Sequence, residues 1–372
     1  MESVGMKGIA LPRSETNSDQ EVGVSTAMRI QPMTRASRRR ARLAGLATAV
    51  LVAASTGCSS YSSTDMPTYH ADDSAAGAVN AQLTTQSYAT TDEVLAAVAA
   101  AQQTKDLSDN AAQQLVALSR GEVQDGPENC FDKREASVVI PGATFGECAY
   151  GDPAGINQMV MYGDSRAPMW ASTLERVAAV NGWQVRVYAK GGCPVVDLPL
   201  QNNETRAPDP DCDAFRTAAV EEIHKAKPQL VVTASHAGHR LADGEWPSTS
   251  QWQRGWESTF AKLTQPGTRV AILGAIPNWD NNDAPCLAAH QNDVQACSTE
   301  RENAVSEYFD AERNAAALAG THYVDTVPWV CAQKCESVIG DNVVYYNPYH
   351  FTKTYADYLT GAVADALRPV MG

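Results

Sequence analysis

The sequence predicts an α/β protein, a three-layer sandwich in which helices cover both faces of a mostly parallel, doubly wound sheet. Three observations carry this expectation. Short apolar runs alternate with amphipathic stretches from residue 158 to the C-terminus of the 372-residue chain, the pattern of a parallel sheet buried on both faces by crossover helices. The apolar run Gln158-Met159-Val160-Met161 stops on Tyr162-Gly163-Asp164-Ser165 and gives way to a helical pattern, which makes a strand, a turn and a helix. About 245 residues remain from position 126 onward, enough core for one large α/β domain.

The elements follow in chain order. Arg38-Arg39-Arg40-Ala41-Arg42 precede the uncharged stretch 43–57 and then Cys58. A basic segment, a short apolar segment and small residues before a cysteine read as a secretory signal, too short for a membrane span of about 20 residues. Ser55-Thr56-Gly57-Cys58 looks like a bacterial lipobox, with Ser55 where leucine is usual, so Cys58 is a candidate lipidation site and new N-terminus. An ordinary signal peptide with an incidental cysteine is the alternative, and Met28 or Met33 is a more natural start than Met1. Residues 1–57 are thus a leader. Residues 58–91, rich in Ser, Thr, Ala and Asp, form a flexible tether. Thr90-Thr91-Asp92-Glu93 gives a capping-box start to a helix, and 111–118 gives a second. These helices in segment 92–125 either pack on the following domain or continue the stalk as a linker.

Domain 126–372 alternates regularly. Strands are expected at 158–162, 183–188, 229–233, 269–273 and 323–325, with a short extended piece at 343–346. Helices are expected at 168–180, 214–226 and 250–263, as one long helix from the Thr299-Glu300-Arg301-Glu302 cap to about residue 318, and as a final helix over 352–367. Trp252 and Trp256, at helical i, i+4 spacing, belong to the core. No internal repeat is evident.

The chain carries a net charge of −14. The leader holds eight basic and four acidic residues, so the rest carries 21 basic and 39 acidic groups, near −18. That excess argues against nucleic acid or anionic lipid as a partner. Apart from Cys58, eight cysteines remain, an even number that fits a disulfide framework in an exported chain. Their close spacing favours neighbour pairing: Cys130 with Cys148, Cys193 with Cys212, Cys286 with Cys297, and Cys331 with Cys335. Metal binding is the alternative, but the cysteines lack paired Cys-x-x-Cys knuckles, so no metal or other cofactor is expected.

Ser165 stands at the C-terminal end of a strand and the N-terminus of a helix. Ligands collect there in open α/β sheets, and free N–H groups and the helix dipole favour a developing oxyanion. Ser165 is therefore the candidate nucleophile. His350, in Tyr346-Asn347-Pro348-Tyr349-His350-Phe351-Thr352 near the far end of the chain, is its candidate general base. An early serine with a late histidine is one of the chain orders of Ser–His machinery. Alternatively, Gly-Asp-Ser is a plain turn and His350 a half-buried histidine among aromatics. Trp246 and Trp279 fall on loops near the active rim, where they can stack on sugar rings. His236 and His239 lie three apart but lack a third ligand, which favours a polar loop over a metal site.

These blocks resemble the SGNH (GDSL-like) hydrolase superfamily, and more narrowly the extracytoplasmic SGNH domain attached to bacterial membrane O-acyltransferases that modify cell-surface glycans. The resemblance runs from about Cys130 to the C-terminus through Gly146-Glu147-Cys148-Ala149-Tyr150-Gly151-Asp152, Gly163-Asp164-Ser165, Lys190-Gly191-Gly192-Cys193-Pro194, Ala271-Ile272-Leu273-Gly274-Ala275-Ile276-Pro277, Cys286-Leu287 and the His350 block. It implies an SGNH-type serine esterase or O-acyltransferase that acts on O-acyl groups of cell-envelope glycans through an acyl-serine. It also implies an exported location, a membrane acyl donor as a possible partner and Gly191 or Gly192 as an oxyanion donor. Three positions depart from the pattern. The family places aspartate where this chain has Asn347, so Asn347 is a neutral orienter, or Asp341 or Asp325 reaches the ring, or the site is weak or inactive. The block asparagine is absent from Thr233-Ala234-Ser235-His236-Ala237-Gly238-His239, leaving Ser235 or His236 as substitutes. Arg166 replaces a histidine and is placed either on an anionic or hydroxyl-rich substrate or in solvent. An inactive glycan-binding or assembly lipoprotein on the same fold is the competing class.

Overall fold

The sequence pattern resolves into a sheet whose reversal of strand order falls at the Gly163-Asp164-Ser165 turn. A computed structural model of the chain describes residues 88–120 and 149–372. The leader, Cys58, tether residues 58–87 and the expected Cys130–Cys148 bond lie outside the described residues.

Six strands form the central sheet: β1 (Ala149–Gly151), β2 (Asn157–Gly163), β3 (Trp183–Ala189), β4 (Leu230–Ala234), β5 (Arg269–Leu273) and β6 (His322–Val324). Their spatial order is β1-β3-β2-β4-β5-β6. All pairs are parallel except the antiparallel edge pair β1–β3. From β2 the chain moves first to β3 on one side and then to β4 on the other. The crevice at such a switch point, beyond the carboxyl ends of the strands, is where open α/β sheets bind ligands. Gly163 sits there, in register with Ala189 and Ala234. Its α-hydrogen faces the Ala234 carbonyl so closely that a Cβ would lie 2.0 Å from that oxygen.

Successive residues of the central strands serve opposite cores, as the two-residue period of a strand requires. Met159 and Met161 of β2, Leu230 and Val232 of β4, and Ala271 and Leu273 of β5 join one cluster. Val160 and Tyr162, Val231, and Val270 and Ile272 join the other. On the first face lie α1 (Thr91–Ala101), α3 (Arg166–Asn181), α7 (Lys353–Tyr358) and α8 (Thr360–Met371). On the second lie α4 (Pro210–Ala226), α5 (Thr249–Leu263) and most of α6 (Glu307–Ala319). Trp252 and Trp256 of α5 are fully buried there.

The two N-terminal helices are part of this body. Thr90 and Glu93 close a reciprocal capping box on α1, whose Val94 and Val98 enter the first core. Helix α2 (Asp109–Ser119) packs Ala111 and Leu115 against Leu287, Val294 and Val343. Three disulfides join Cys193 to Cys212, Cys286 to Cys297, and Cys331 to Cys335. The first fastens the loop after β3 to the first turn of α4. Among the described residues no helix is long and apolar enough to cross a membrane.

Two helices expected to be continuous are broken. Thr299–Glu300 pairs antiparallel with Lys334–Cys335, the helix Arg301–Ala304 is short, and Val305 is extended before α6 begins. The break leaves the Ala304 carbonyl to accept the N–H of Asn278 at 3.1 Å, from the loop after β5. The C-terminal helix divides at Leu359, where the Thr360 hydroxyl bonds the Asp357 carbonyl at 2.7 Å. Asp325, expected to end β6, leaves the strand and pairs with Arg313 at 3.1 Å.

Candidate active site

Gly163, Asp164 and Ser165 turn the chain from β2 into α3. Ser165 is the N-cap of α3, but its hydroxyl makes no capping bond. It points instead at His350, with Oγ 2.7 Å from Nε2. Asp164 builds the turn beneath it. Its two oxygens accept the backbone N–H of Arg166 at 2.9 Å and that of His236 at 2.8 Å, which ties the nucleophile turn to the loop after β4. Burial pushes the Asp164 carboxyl above its ordinary value, against the pull of these two N–H groups and of Arg166.

His350 stands on a small hairpin of β7 (Tyr345–Asn347) and β8 (His350–Phe351), closed by a turn over Pro348 and Tyr349. The hairpin is anchored through Tyr345 and Phe351, both fully buried, and through the Asn282 amide donating to the Pro348 carbonyl at 3.1 Å. Tyr346 stacks on the imidazole with ring centroids 5.5 Å apart. Nδ1 of His350 lies 2.9 Å from Oδ1 of Asn347. The backbone N–H of Tyr349 donates to that same oxygen at 2.9 Å. An atom that accepts from the peptide N–H is the amide oxygen, so Nδ1 carries the imidazole proton and Nε2 presents its lone pair to Ser165. The alternative orienters are engaged elsewhere: Asp325 with Arg313, and Asp341 in the tight turn that precedes Asn342.

Ser165 and His350 open into a cleft of about 320 Å³ shared with Gly192, Pro194, His236, Arg240, Trp246 and Tyr349 among others. Gly192, at φ 72°, faces this cleft, and among the described residues no backbone carbonyl takes its N–H. Gly191 and Lys190 line a small adjoining hollow, which shares Gly192 and Asn203 with the cleft. The arrangement supplies a hydroxyl nucleophile, an imidazole base in the required tautomer, and backbone donors at a strand end, the parts needed to attack an acyl carbonyl.

Several expected positions lie elsewhere or are otherwise engaged. Ser235 is buried away from the cleft, where its hydroxyl accepts the Val195 N–H at 3.1 Å. His236 reaches the cleft, but its backbone N–H serves Asp164, Nδ1 is 3.1 Å from the Gly238 carbonyl and Nε2 is 3.3 Å from the Asn278 amide. Burial, then Arg166, hold His236 neutral with its pKa lowered to about 3. The His239 ring bonds the Gln201 carbonyl at 2.8 Å. Arg166 does not face solvent. It is buried at 3 % exposure, with its pKa lowered to about 10 by burial despite Asp164 beside it. Trp279 is half-buried: its indole N–H donates to the Cys297 carbonyl at 3.0 Å and its ring meets Tyr345 edge-on. Trp246, by contrast, is 55 % exposed at the cleft.

Asn203, Arg206 and Arg240 also line the cleft. They lie on the irregular loops after β3 and β4. Position beyond a strand's carboxyl end was the sequence signal that marks them.

The family model described as "SGNH domain (fused to AT3 domains)" matches residues 129–365. Among solved structures, the lipopolysaccharide acetyltransferase periplasmic domain of Salmonella ser. Paratyphi A is similar at 14 % identity, with 70 % of this chain and 97 % of that chain covered and a TM-score of 0.48. A family two carbohydrate esterase from Cellvibrio japonicus is similar at 12 % identity, with 59 % and 63 % covered and a TM-score of 0.33. An α/β hydrolase, LAE5, from the metagenome of Lake Arreo in Spain is similar at 12 % identity, with 59 % and 96 % covered and a TM-score of 0.32. No curated protein matches the chain.

Proposed function

The chain belongs to the SGNH family, in the branch described as fused to AT3 domains, and from that premise we propose that it is an exported serine esterase or O-acyltransferase acting on O-acyl groups of cell-envelope glycans. The observation that carries the proposal is the relay from Asn347 Oδ1 to His350 Nδ1, at 2.9 Å, and from His350 Nε2 to Ser165 Oγ, at 2.7 Å.

In this reading Nε2 takes the Ser165 hydroxyl proton as Oγ attacks the ester carbonyl carbon. The oxyanion of the tetrahedral adduct forms toward the backbone N–H of Gly192. The adduct collapses as His350 returns the proton to the leaving sugar oxygen, which leaves acyl-Ser165 and a free hydroxyl. Water, or a second sugar hydroxyl, then gives its proton to Nε2 and takes the acyl group, which restores Ser165. Nothing in these steps calls on a metal or organic cofactor. A membrane acyltransferase, as we read the AT3 domains of the family description, is the partner this chemistry suits, as donor of acyl groups. Anchoring through a lipidated Cys58 belongs to the same proposal.

Active-serine labelling tests it. A fluorophosphonate probe should modify the purified protein at Ser165 and leave Ser165→Ala unmodified. Absence of label on the folded wild-type protein would favour the second reading, a glycan-binding or assembly module, to which the neutral Asn347 lends support.

A further inference from the structure

The charge lining this cleft is opposite in sign to that of the chain. Of the described residues around it, the carboxylate is Asp164, which is 1 % exposed and holds a backbone N–H on each oxygen. The accessible charges there are Arg206 and Arg240, in a chain of net charge −14. Among the described residues neither arginine is paired with a carboxylate.

Both are positioned by the structure. The Arg240 guanidinium donates to the Gly244 carbonyl at 2.7 Å and lies 4.9 Å from the centroid of the Trp246 ring. Arg206 holds φ at 59°, a left-handed conformation that costs a residue with a side chain and so calls for a local reason. Gln201 braces both: its N–H donates to the Arg240 carbonyl at 2.9 Å, and its side-chain amide donates to the Arg206 carbonyl at 3.0 Å. Trp246 and Tyr349, 55 % and 53 % exposed, present apolar faces at the same opening.

We infer that the mouth of the cleft is a subsite for an anionic acylated sugar, with Arg206 and Arg240 holding its carboxylate or phosphate while Trp246 and Tyr349 carry the ring. The inference rests on the proposed O-acyl glycan chemistry and adds the substrate class. Planar guanidinium donors match the paired oxygens of a carboxylate or phosphate, whereas a neutral pyranose needs no fixed cation. Sugar C–H faces pack on aromatic rings, and the stacking of Arg240 on Trp246 sets the anion beside that platform.

The test uses Ser165→Ala protein, which separates binding from turnover. Calorimetry should show an acetylated oligogalacturonide bound at least about tenfold more tightly than an acetylated xylo-oligosaccharide of equal length, each charge-assisted contact being worth about that factor. The preference should shrink as salt rises. It should vanish in the Arg206→Gln/Arg240→Gln double variant and partly survive in the double lysine variant, whose retained charge also controls for folding. An acetylated sugar phosphate as a third ligand distinguishes the two anions, since the tighter of the two anionic ligands identifies the group held. Equal binding of charged and neutral sugars, binding of neither, or an unchanged preference in the glutamine variant would overturn the inference. Anion-selective binding without hydrolysis by the wild-type protein would sink the acyl-serine reading and leave this one standing. Hydrolysis of both sugars with equal kcat/KM would do the reverse.

Discussion

The side-chain oxygen of Asn347 sits 2.9 Å from Nδ1 of His350 while it accepts the Tyr349 backbone N–H. The second bond fixes the amide orientation, and the amide fixes the tautomer. In Ser-His-Asp proteases, replacing aspartate by asparagine costs about 10⁴ in turnover because the imidazole is held in the wrong tautomer. Here the asparagine oxygen faces the imidazole nitrogen, so the loss relative to a carboxylate is confined to stabilisation of the imidazolium that forms during attack.

Asn347→Asp should therefore raise kcat on short acyl esters by about tenfold or more, because a carboxylate stabilises that cation. KM should change little, since the interaction strengthens only as the proton moves. Asn347→Ala should lower kcat by a similar factor through loss of orientation. Steady-state kinetics of the three proteins checks this; a decrease in Asn347→Asp would show that the amide does more than orient.

Asp164 links the nucleophile turn to the loop carrying His236 through one N–H on each oxygen. Asparagine offers one acceptor and turns a donor toward the other N–H. Asp164→Asn should cost about 1–3 kcal/mol of stability, the range for a buried donor left without a partner. It should also lower kcat, as Ser165 is aimed by that turn. Urea denaturation reads the first effect, and a midpoint equal to that of the wild type would show that the two bonds contribute nothing net.

Glu312 on α6 is fully buried, holds the Ala275 N–H at 2.9 Å, and has its pKa raised by burial to about 8 from 4.5. Below pH 4.5 the folded and unfolded chains both carry its proton. Between 4.5 and about 8 the unfolded chain releases the proton and the folded chain keeps it, so stability falls as pH rises through that window. Glu312→Gln keeps the carbonyl acceptor and removes the titration. Its Tm should match or fall slightly below wild type near pH 4.5 and exceed it at pH 8, where removing the titration is worth on the order of a few kcal/mol of unfolding free energy. A constant Tm difference across that range would contradict the buried protonated state.

The sheet was legible because its strands are near-continuous apolar runs, and Ser165 and His350 were legible because each stands at a boundary between an apolar run and a helix. The substrate side was less so. Arg166 follows the nucleophile in sequence, but the first turn of α3 carries it inward, to 3 % exposure. Trp279 lies on a loop as expected, yet the Cys297 carbonyl holds its indole against the body. The apparent continuous helix after Thr299 yields to a strand pair with Lys334–Cys335 and to the Asn278–Ala304 hydrogen bond, long-range contacts that local periodicity does not encode. Arg206 and Arg240 sit on irregular loops, where position in the fold, not pattern, brings them to the cleft.

The most direct test of the Ser165–His350 pair is the rate of p-nitrophenyl acetate hydrolysis by the wild-type protein, Ser165→Ala and His350→Ala, with acyl-Ser165 sought by intact-mass measurement during turnover. The pair predicts a wild-type rate well above both variants, and a mass gain of one acetyl group that is absent from Ser165→Ala. A wild-type rate no higher than that of Ser165→Ala, with no acetylated species, would contradict it.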